Sequence, residues 1–210
     1  MKIAIFSDVH GNLPALELAL HDAGKADKYF FLGDVVNYGP WSNECVQLIA
    51  GIKNSIKILG NHETYFIKRK CNSNNTLVNV FFNECIKNFK EFEEIKSYKT
   101  EVSFEGITFV HTLNGEYIYK DSNIKFSKNY FVGHSHQQFQ LKNEKNWIIN
   151  PGSVGQNRQA INKINYALFN TETHELDFKS INYDSNKIIN EMKNRNYPQS
   201  CLDYYISKIK

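Results

Sequence analysis

Aspartate, asparagine and histidine recur in this sequence in short polar motifs that directly follow apolar runs. They are Asp8 and His10 in SDVHGN, Asp34 in GDVVNYGP, Asn61 and His62 in GNHE, His111 in ITFVH, and His134 and His136 in GHSH. Five of the seven histidines therefore sit just beyond a predicted strand, beside other side chains able to hold a metal. Carboxylate, amide and imidazole donors without cysteine suit borderline divalent ions such as Mn²⁺, Fe²⁺, Zn²⁺, Co²⁺ or Ni²⁺. Asp8 and His10 lie two positions apart at a strand's end, and the two-residue period of an extended chain predicts that they point to one side and share one ion. His134 and His136 repeat that spacing, with Gly133 permitting close backbone approach. Asp34, with two carboxylate oxygens, can bridge two cations, which a neutral imidazole cannot. Asn61 offers an amide oxygen, and His62 beside it diverges, so one ligates and the other can act on substrate. Two ions about 3.5–4 Å apart activate a water, neutralise phosphoryl oxygens and clamp an in-line attack. The chemistry indicated is phosphoester hydrolysis, with His62 placed to protonate the departing oxygen or stabilise charge on it, a hydrogen-bonded support for a ligand being its other reading.

The elements that must carry these residues are legible as alternating strands and helices. KIAIF (2–6) predicts a buried strand, and LPALELALHDAG a helix with Pro14 in its first turn and Gly24 at its end. KYFFL, then SNECVQLIAG with Ser42 as cap, and SIKIL followed by a helical stretch after GNHE repeat the pattern. Such βαβ units predict a parallel sheet covered on both faces, with functional loops at the carboxyl ends of its strands. Residues 71–97 predict a surface-packed helix or small helical cap. Beyond them YKTEVSFE and ITFVH flank Gly106 as a hairpin, and NYFVGHSH, FQLKN, NWIINPGS, INYALFNT and HELDFKSINYD predict a second, mixed or antiparallel sheet. The tail from Asn186 is helical in period, interrupted by Pro198. The expected fold is α/β, a two-sheet sandwich flanked by helices.

At 210 residues with 41% hydrophobic content, the chain can bury one good core, so a single domain over 1–210 is expected. A net charge of +3 from 25 basic and 22 acidic side chains does not announce a nucleic-acid or membrane binder. No apolar run has signal-peptide or transmembrane length, and a cytoplasmic protein is the expectation. Cys45, Cys71, Cys85 and Cys201 lack metal-finger spacing and are expected to be reduced. His21 and His174 are expected to face solvent.

DVH, GDVVNYGP, GNHE, VH and GHSH, in this order, resemble the motifs of the calcineurin-like metallophosphoesterase superfamily. The match runs from Asp8 to His136, and NPGSVGQNR (150–158) further resembles its small bacterial and archaeal phosphodiesterase-like branch. The resemblance implies that a first ion takes Asp8, His10, Asp34 and His136, and a second Asp34, Asn61, His111 and His134. It also implies a bridging hydroxide as nucleophile and His62 as the catalytic histidine. Mn²⁺ is the foremost candidate, ahead of Fe²⁺, Zn²⁺, Ni²⁺ and Co²⁺. The protein-phosphatase branch carries GDxxDRG, where this chain has GDVVNYG with Tyr38 at the arginine position, so a phosphoprotein substrate is disfavoured.

Asn12 and Tyr38 lie in loops expected to rim the site, with substrate contact or an ordinary turn as their roles. Arg158 reads equally as a phosphate clamp, since guanidinium donors match phosphate oxygens in pairs, and as an ordinary surface arginine. Phe81, Phe82, Phe89 and Phe92 read as a packing face. The function expected is hydrolysis of a small phosphodiester or phosphomonoester, with nucleotide-derived esters among the candidates. The alternatives are a dinucleoside polyphosphate or nucleotide pyrophosphohydrolase and a non-catalytic metal-binding scaffold.

Overall fold

The computed structural model describes residues 1–210. Its first half runs β1 (Lys2–Phe6), α1 (Leu13–Ala23), β2 (Lys28–Phe31), α2 (Ser42–Ala50), β3 (Ser55–Lys57), α3 (Asn61–Ile67), α4 (Thr76–Ile86) and α5 (Phe92–Lys96). There follow β4 (Glu101–Phe104), β5 (Ile107–Val110), β6 (Asn129–Phe131), β7 (Gln138–Lys142), β8 (Trp147–Pro151), β9 (Lys163–Asn170), β10 (Leu176–Asn182), α6 (Asn186–Asn194) and α7 (Gln199–Ile206).

Alternation along β1 sets the layers. Ala4 and Phe6 join the cluster formed with the helices, whereas Ile3 and Ile5 join a second cluster between the sheets. A strand apolar on both faces must be covered on both, which places it inside a three-layer arrangement. The first sheet has the order β10-β9-β1-β2-β3, and the second β4-β5-β6-β8-β7. Phe30 of β2 stacks on Phe109 of β5 with ring centroids 3.8 Å apart, and Phe109 in turn stacks on Phe131 at 5.4 Å. The first of these contacts joins the two sheets, and the second continues the stack within the second sheet.

Two expectations are corrected here. INYALFNT and HELDFKSINYD do not enter the second sheet. They form β9 and β10, and β9 runs antiparallel to β1 with Ile3 opposite Phe169 and Ile5 opposite Ala167. The cause lies in β9 itself, which buries Ile164 and Tyr166 toward the helices and Ala167 and Phe169 between the sheets, as only an inner strand of the first sheet can. The first sheet is consequently mixed, with β1, β2 and β3 parallel. Ser42, expected to cap α2, is its first residue, and its hydroxyl accepts from Asn37 N at 3.1 Å.

Asn12 caps α1, Pro14 lies in its first turn, and Gly24 closes it at φ 60°. Residues 71–97 pack into the helical layer, with Phe81, Phe82, Phe89 and Ile95 in the same cluster as Phe6. All four cysteines are free thiols, and His21 and His174 are exposed. No helix is long and apolar enough to cross a membrane.

Candidate metal centre

Beyond the carboxyl ends of β1, β2, β3, β5 and β6, polar side chains converge in two adjacent groups. In the first, His136 Nε2 lies 3.3 Å from Asp8 Oδ1 and 3.2 Å from His10 Nε2, and His10 Nε2 is 3.9 Å from Asp8 Oδ1. In the second, His111 Nε2 lies 3.1 Å from Asp34 Oδ2, 3.1 Å from Asn61 Oδ1 and 3.2 Å from His134 Nδ1. Two ligands each about 2.1 Å from one cation, at angles from square to tetrahedral, are themselves about 3.0–3.4 Å apart. All the observed separations match except the 3.9 Å between His10 and Asp8. Asp34 also belongs to a set with His10 and His62 whose ligand atoms lie within 4.8 Å of one another, so it stands between the two groups.

Outer hydrogen bonds fix which ring atoms face inward. Nδ1 of His10 lies 3.3 Å from Val36 O, Nδ1 of His136 2.7 Å from Gln156 O, and Nδ1 of His111 2.6 Å from Leu32 O. A carbonyl accepts only a proton, so each neutral ring carries its hydrogen on Nδ1 and turns an Nε2 lone pair inward. With every ring neutral, lone pairs of nitrogen, amide oxygen and carboxylate face one another, an arrangement that divalent cations compensate and that, without them, a proton on His111 relieves at Asp34. Burial holds His10 and His136 well below the usual imidazole range and lowers His134 to about 3, which keeps these rings neutral. Burial pushes the Asp8 carboxyl up to about 7, against the opposing charge of His111. Burial works against a charged His111 too, but the Asp34 carboxylate outweighs it and raises the ring to about 10. Asp34 is the converse: burial would raise it, yet His111 and His62 hold it well below the usual carboxylate range.

The route by which these side chains converge differs from the extended alternation expected. Asp8, His10, Asp34, His134 and His136 all have positive φ, between 49° and 70°. Each left-handed non-glycine residue costs about 1–2 kcal/mol, and it persists only where surrounding bonds over-determine it. Those bonds are present. The buried Glu63 carboxylate accepts from four backbone N–H groups, with Oε2 taking Asp34 N and Gly60 N at 2.8 Å and Oε1 taking Val35 N at 2.7 Å and Val36 N at 3.2 Å. The NPGSVG segment grips the other loops. Val154 N donates to Ser7 O, Gly155 N and Ser153 Oγ donate to Asp8 O, and Asn150 Nδ2 donates to Gly133 O and Ser135 Oγ. Gly133 is required sterically, because a Cβ there would collide with the Ser7 hydroxyl and crowd Asp8 Oδ2 at 3.2 Å.

His62, Tyr38 and Arg158 line the cavity over these groups, about 560 Å³ in volume, together with Asp34, Asn61, His134 and His136. His62 Nε2 is 3.9 Å from Asp34 Oδ2, and its Nδ1 lies 2.8 Å from Asn37 Nδ2. Asn12 is different. It is fully buried, its Nδ2 donates to Gly155 O and Tyr183 Oη, and its Oδ1 accepts from Ala15 N. Capping α1 and tying it to the NPGSVG segment occupies the whole amide, which corrects the expected substrate contact. Sequence reasoning missed Asn37, Glu63, Tyr65, Tyr117, Tyr204 and Lys208. Glu63 and Asn37 stand inside motifs already singled out, whereas nothing local marks the three tyrosines or Lys208, which tertiary packing brings to the cavity wall.

The profile of the calcineurin-like phosphoesterase superfamily domain matches residues 1–174. An uncharacterized protein of Methanocaldococcus jannaschii is 32% identical, with 94% of each chain covered. A metallophosphoesterase from Sphaerobacter thermophilus superposes with a TM-score of 0.85 at 26% identity, covering 100% of this chain and 99% of that one. A Pyrococcus horikoshii protein has the same fold, with a TM-score of 0.81 at 17% identity and 97% of both chains covered.

Proposed function

This chain belongs to the calcineurin-like phosphoesterase superfamily, and on that premise we propose that it hydrolyses a small phosphodiester or phosphomonoester with the aid of two divalent ions. Asp8, His10, Asp34 and His136 would hold one ion, and Asp34, Asn61, His111 and His134 the other. Mn²⁺ is the foremost candidate for both. When bound, such ions supply an activated water and neutralise charge on the phosphoryl oxygens. The reading takes residues 1–210 as one domain.

The remaining work falls to side chains of the chain itself. Asn37 Nδ2 donates to Nδ1 of His62, which leaves the ring hydrogen on Nε2, on the side of Asp34 and the cavity. Burial lowers the pKa of this ring, so it acts as a neutral hydrogen-bond donor that stabilises charge on the oxygen departing from phosphorus, and that oxygen takes its proton from water. Arg158, at the same cavity, offers paired N–H donors to the non-bridging oxygens and so orients the ester. Tyr38, edge-on to His10 with ring centroids 4.8 Å apart, closes the inner wall.

The observation that carries this reading is the pair of facing ligand clusters, with donor atoms 3.1–3.9 Å apart, at the floor of an open cavity. The test is hydrolysis of bis-p-nitrophenyl phosphate and p-nitrophenyl phosphate by purified protein supplied with Mn²⁺. Turnover that chelator abolishes is expected. Protein that carries both ions and hydrolyses neither ester nor any member of a nucleotide panel would overturn the proposal.

A further inference from the structure

The cavity wall extends well past the groups assigned so far, and its chemistry is uneven. Its acidic lining is limited to Asp34, while Arg158 and Lys208 are both cationic, so an anionic ligand is favoured throughout. Apolar contact comes chiefly from the rings of Tyr65, Tyr117 and Tyr204. Tyr117 stands out among them. A turn closed by Glu116 N donating to Leu113 O, with Asn114 at φ 56° and Gly115 at φ 75°, folds the chain after β5 back over the site. The Tyr117 ring then lies flat against His134, with centroids 3.8 Å apart and planes inclined by 27°. The Arg158 guanidinium carbon is 5.5 Å from the same ring centroid.

Despite these neighbours Tyr117 remains 48% exposed, the largest exposure of any bulky apolar side chain here. An exposed aromatic ring held in a fixed plane beside a phosphate-binding cation is suited to a ligand with both a flat ring and a phosphate. A sugar phosphate would offer the rings only puckered C–H faces in place of a flat ring. A long alkyl chain would find few aliphatic side chains, Leu77 and Val78 being those on the wall. A volume of about 560 Å³ lies within the range of small-molecule sites, about 300–1,000 Å³.

Building on the hydrolase reading above, we propose that the substrate is a nucleotide whose base stacks on Tyr117 while Arg158 engages its phosphate. Tyr117 is then a specificity-determining residue. Base stacking on an aromatic side chain tolerates every base, so the preference is for nucleotides as a class.

The experiment uses full-length protein loaded with Mn²⁺ and two phosphonate isosteres, of adenosine 5′-monophosphate and of ribose 5-phosphate. They share the sugar and the phosphonate and differ at C1′, base against hydroxyl, and their P–C bond resists phosphoester hydrolysis, so calorimetry reads affinity alone. The adenosine compound is expected to bind about 10-fold or more tightly than the ribose compound. Tyr117→Leu should bring the two within about twofold of each other, and Tyr117→Phe should keep the preference. Equal affinities in the wild type, or a preference that survives Tyr117→Leu, would overturn the proposal. So would a Tyr117→Leu protein that loses metal and weakens both ligands equally, since Tyr117 would then act only as a support for His134. Hydrolysis of bis-p-nitrophenyl phosphate by the same samples reports on the hydrolase reading separately.

Discussion

Replacing Glu63 with glutamine tests how the left-handed loops are held. Each carboxylate oxygen of Glu63 accepts from two backbone N–H groups, Asp34 and Gly60 on Oε2, Val35 and Val36 on Oε1. An amide keeps one oxygen, so whichever way it turns, two buried N–H groups lose their acceptor and face an NH₂. Each stranded donor costs about 1–3 kcal/mol, which gives a destabilisation of about 2–6 kcal/mol for Glu63→Gln. Burial raises this carboxyl to about 7, so the comparison belongs at pH 8.5, where the wild-type group is ionised. Urea denaturation of chelator-treated protein should then show a midpoint lower by roughly 1 M or more with an unchanged slope. A midpoint shift equivalent to less than about 0.5 kcal/mol, the usual effect of a surface substitution, would refute the assignment of Glu63 as the clasp.

Asp34→Asn should lower metal content and remove turnover together, because an amide cannot bridge as a carboxylate does. His62→Ala should retain both ions while turnover falls by about 10²–10⁴, as read by metal analysis and kinetics on one sample. In chelator-treated protein at pH 7, His111, raised to about 10, carries a proton, and Asp8, raised to about 7, is partly protonated. Metal uptake must expel these protons, so calorimetry in buffers of different ionisation enthalpy should detect about one to two released per chain. The ion and the proton compete, hence metal affinity should fall as pH is lowered through 7, and a pH-independent affinity would contradict these shifts. Phe109→Ala, which removes the fully buried ring between Phe30 and Phe131, should destabilise the protein by about 3–5 kcal/mol in denaturant titration.

The candidate ligands were legible because each sits in a short motif at a strand's end, and donor chemistry is a property of residue type. The turn geometry behind their convergence was not. Period-two alternation describes an extended chain, whereas Asp8, His10, His134 and His136 depend on positive φ imposed by distant partners: the NPGSVG segment for the first loop and Asn150 for the last. The place of β9 was hidden for a similar reason. Its apolar residues on both faces were visible, but its neighbour β1 is at the opposite end of the chain. Asn12 shows how a polar residue beside a metal motif can be wholly consumed by capping. Tyr117 shows the reverse, a site residue without a local signal, delivered by a turn after β5.

Anomalous X-ray scattering at the manganese edge, from crystals grown with Mn²⁺, tests the central claim most directly. Two peaks about 3.5–4 Å apart are predicted, one among Asp8, His10 and His136, the other among Asn61, His111 and His134, with Asp34 reaching both. A single peak, or peaks away from these seven side chains, would contradict the account.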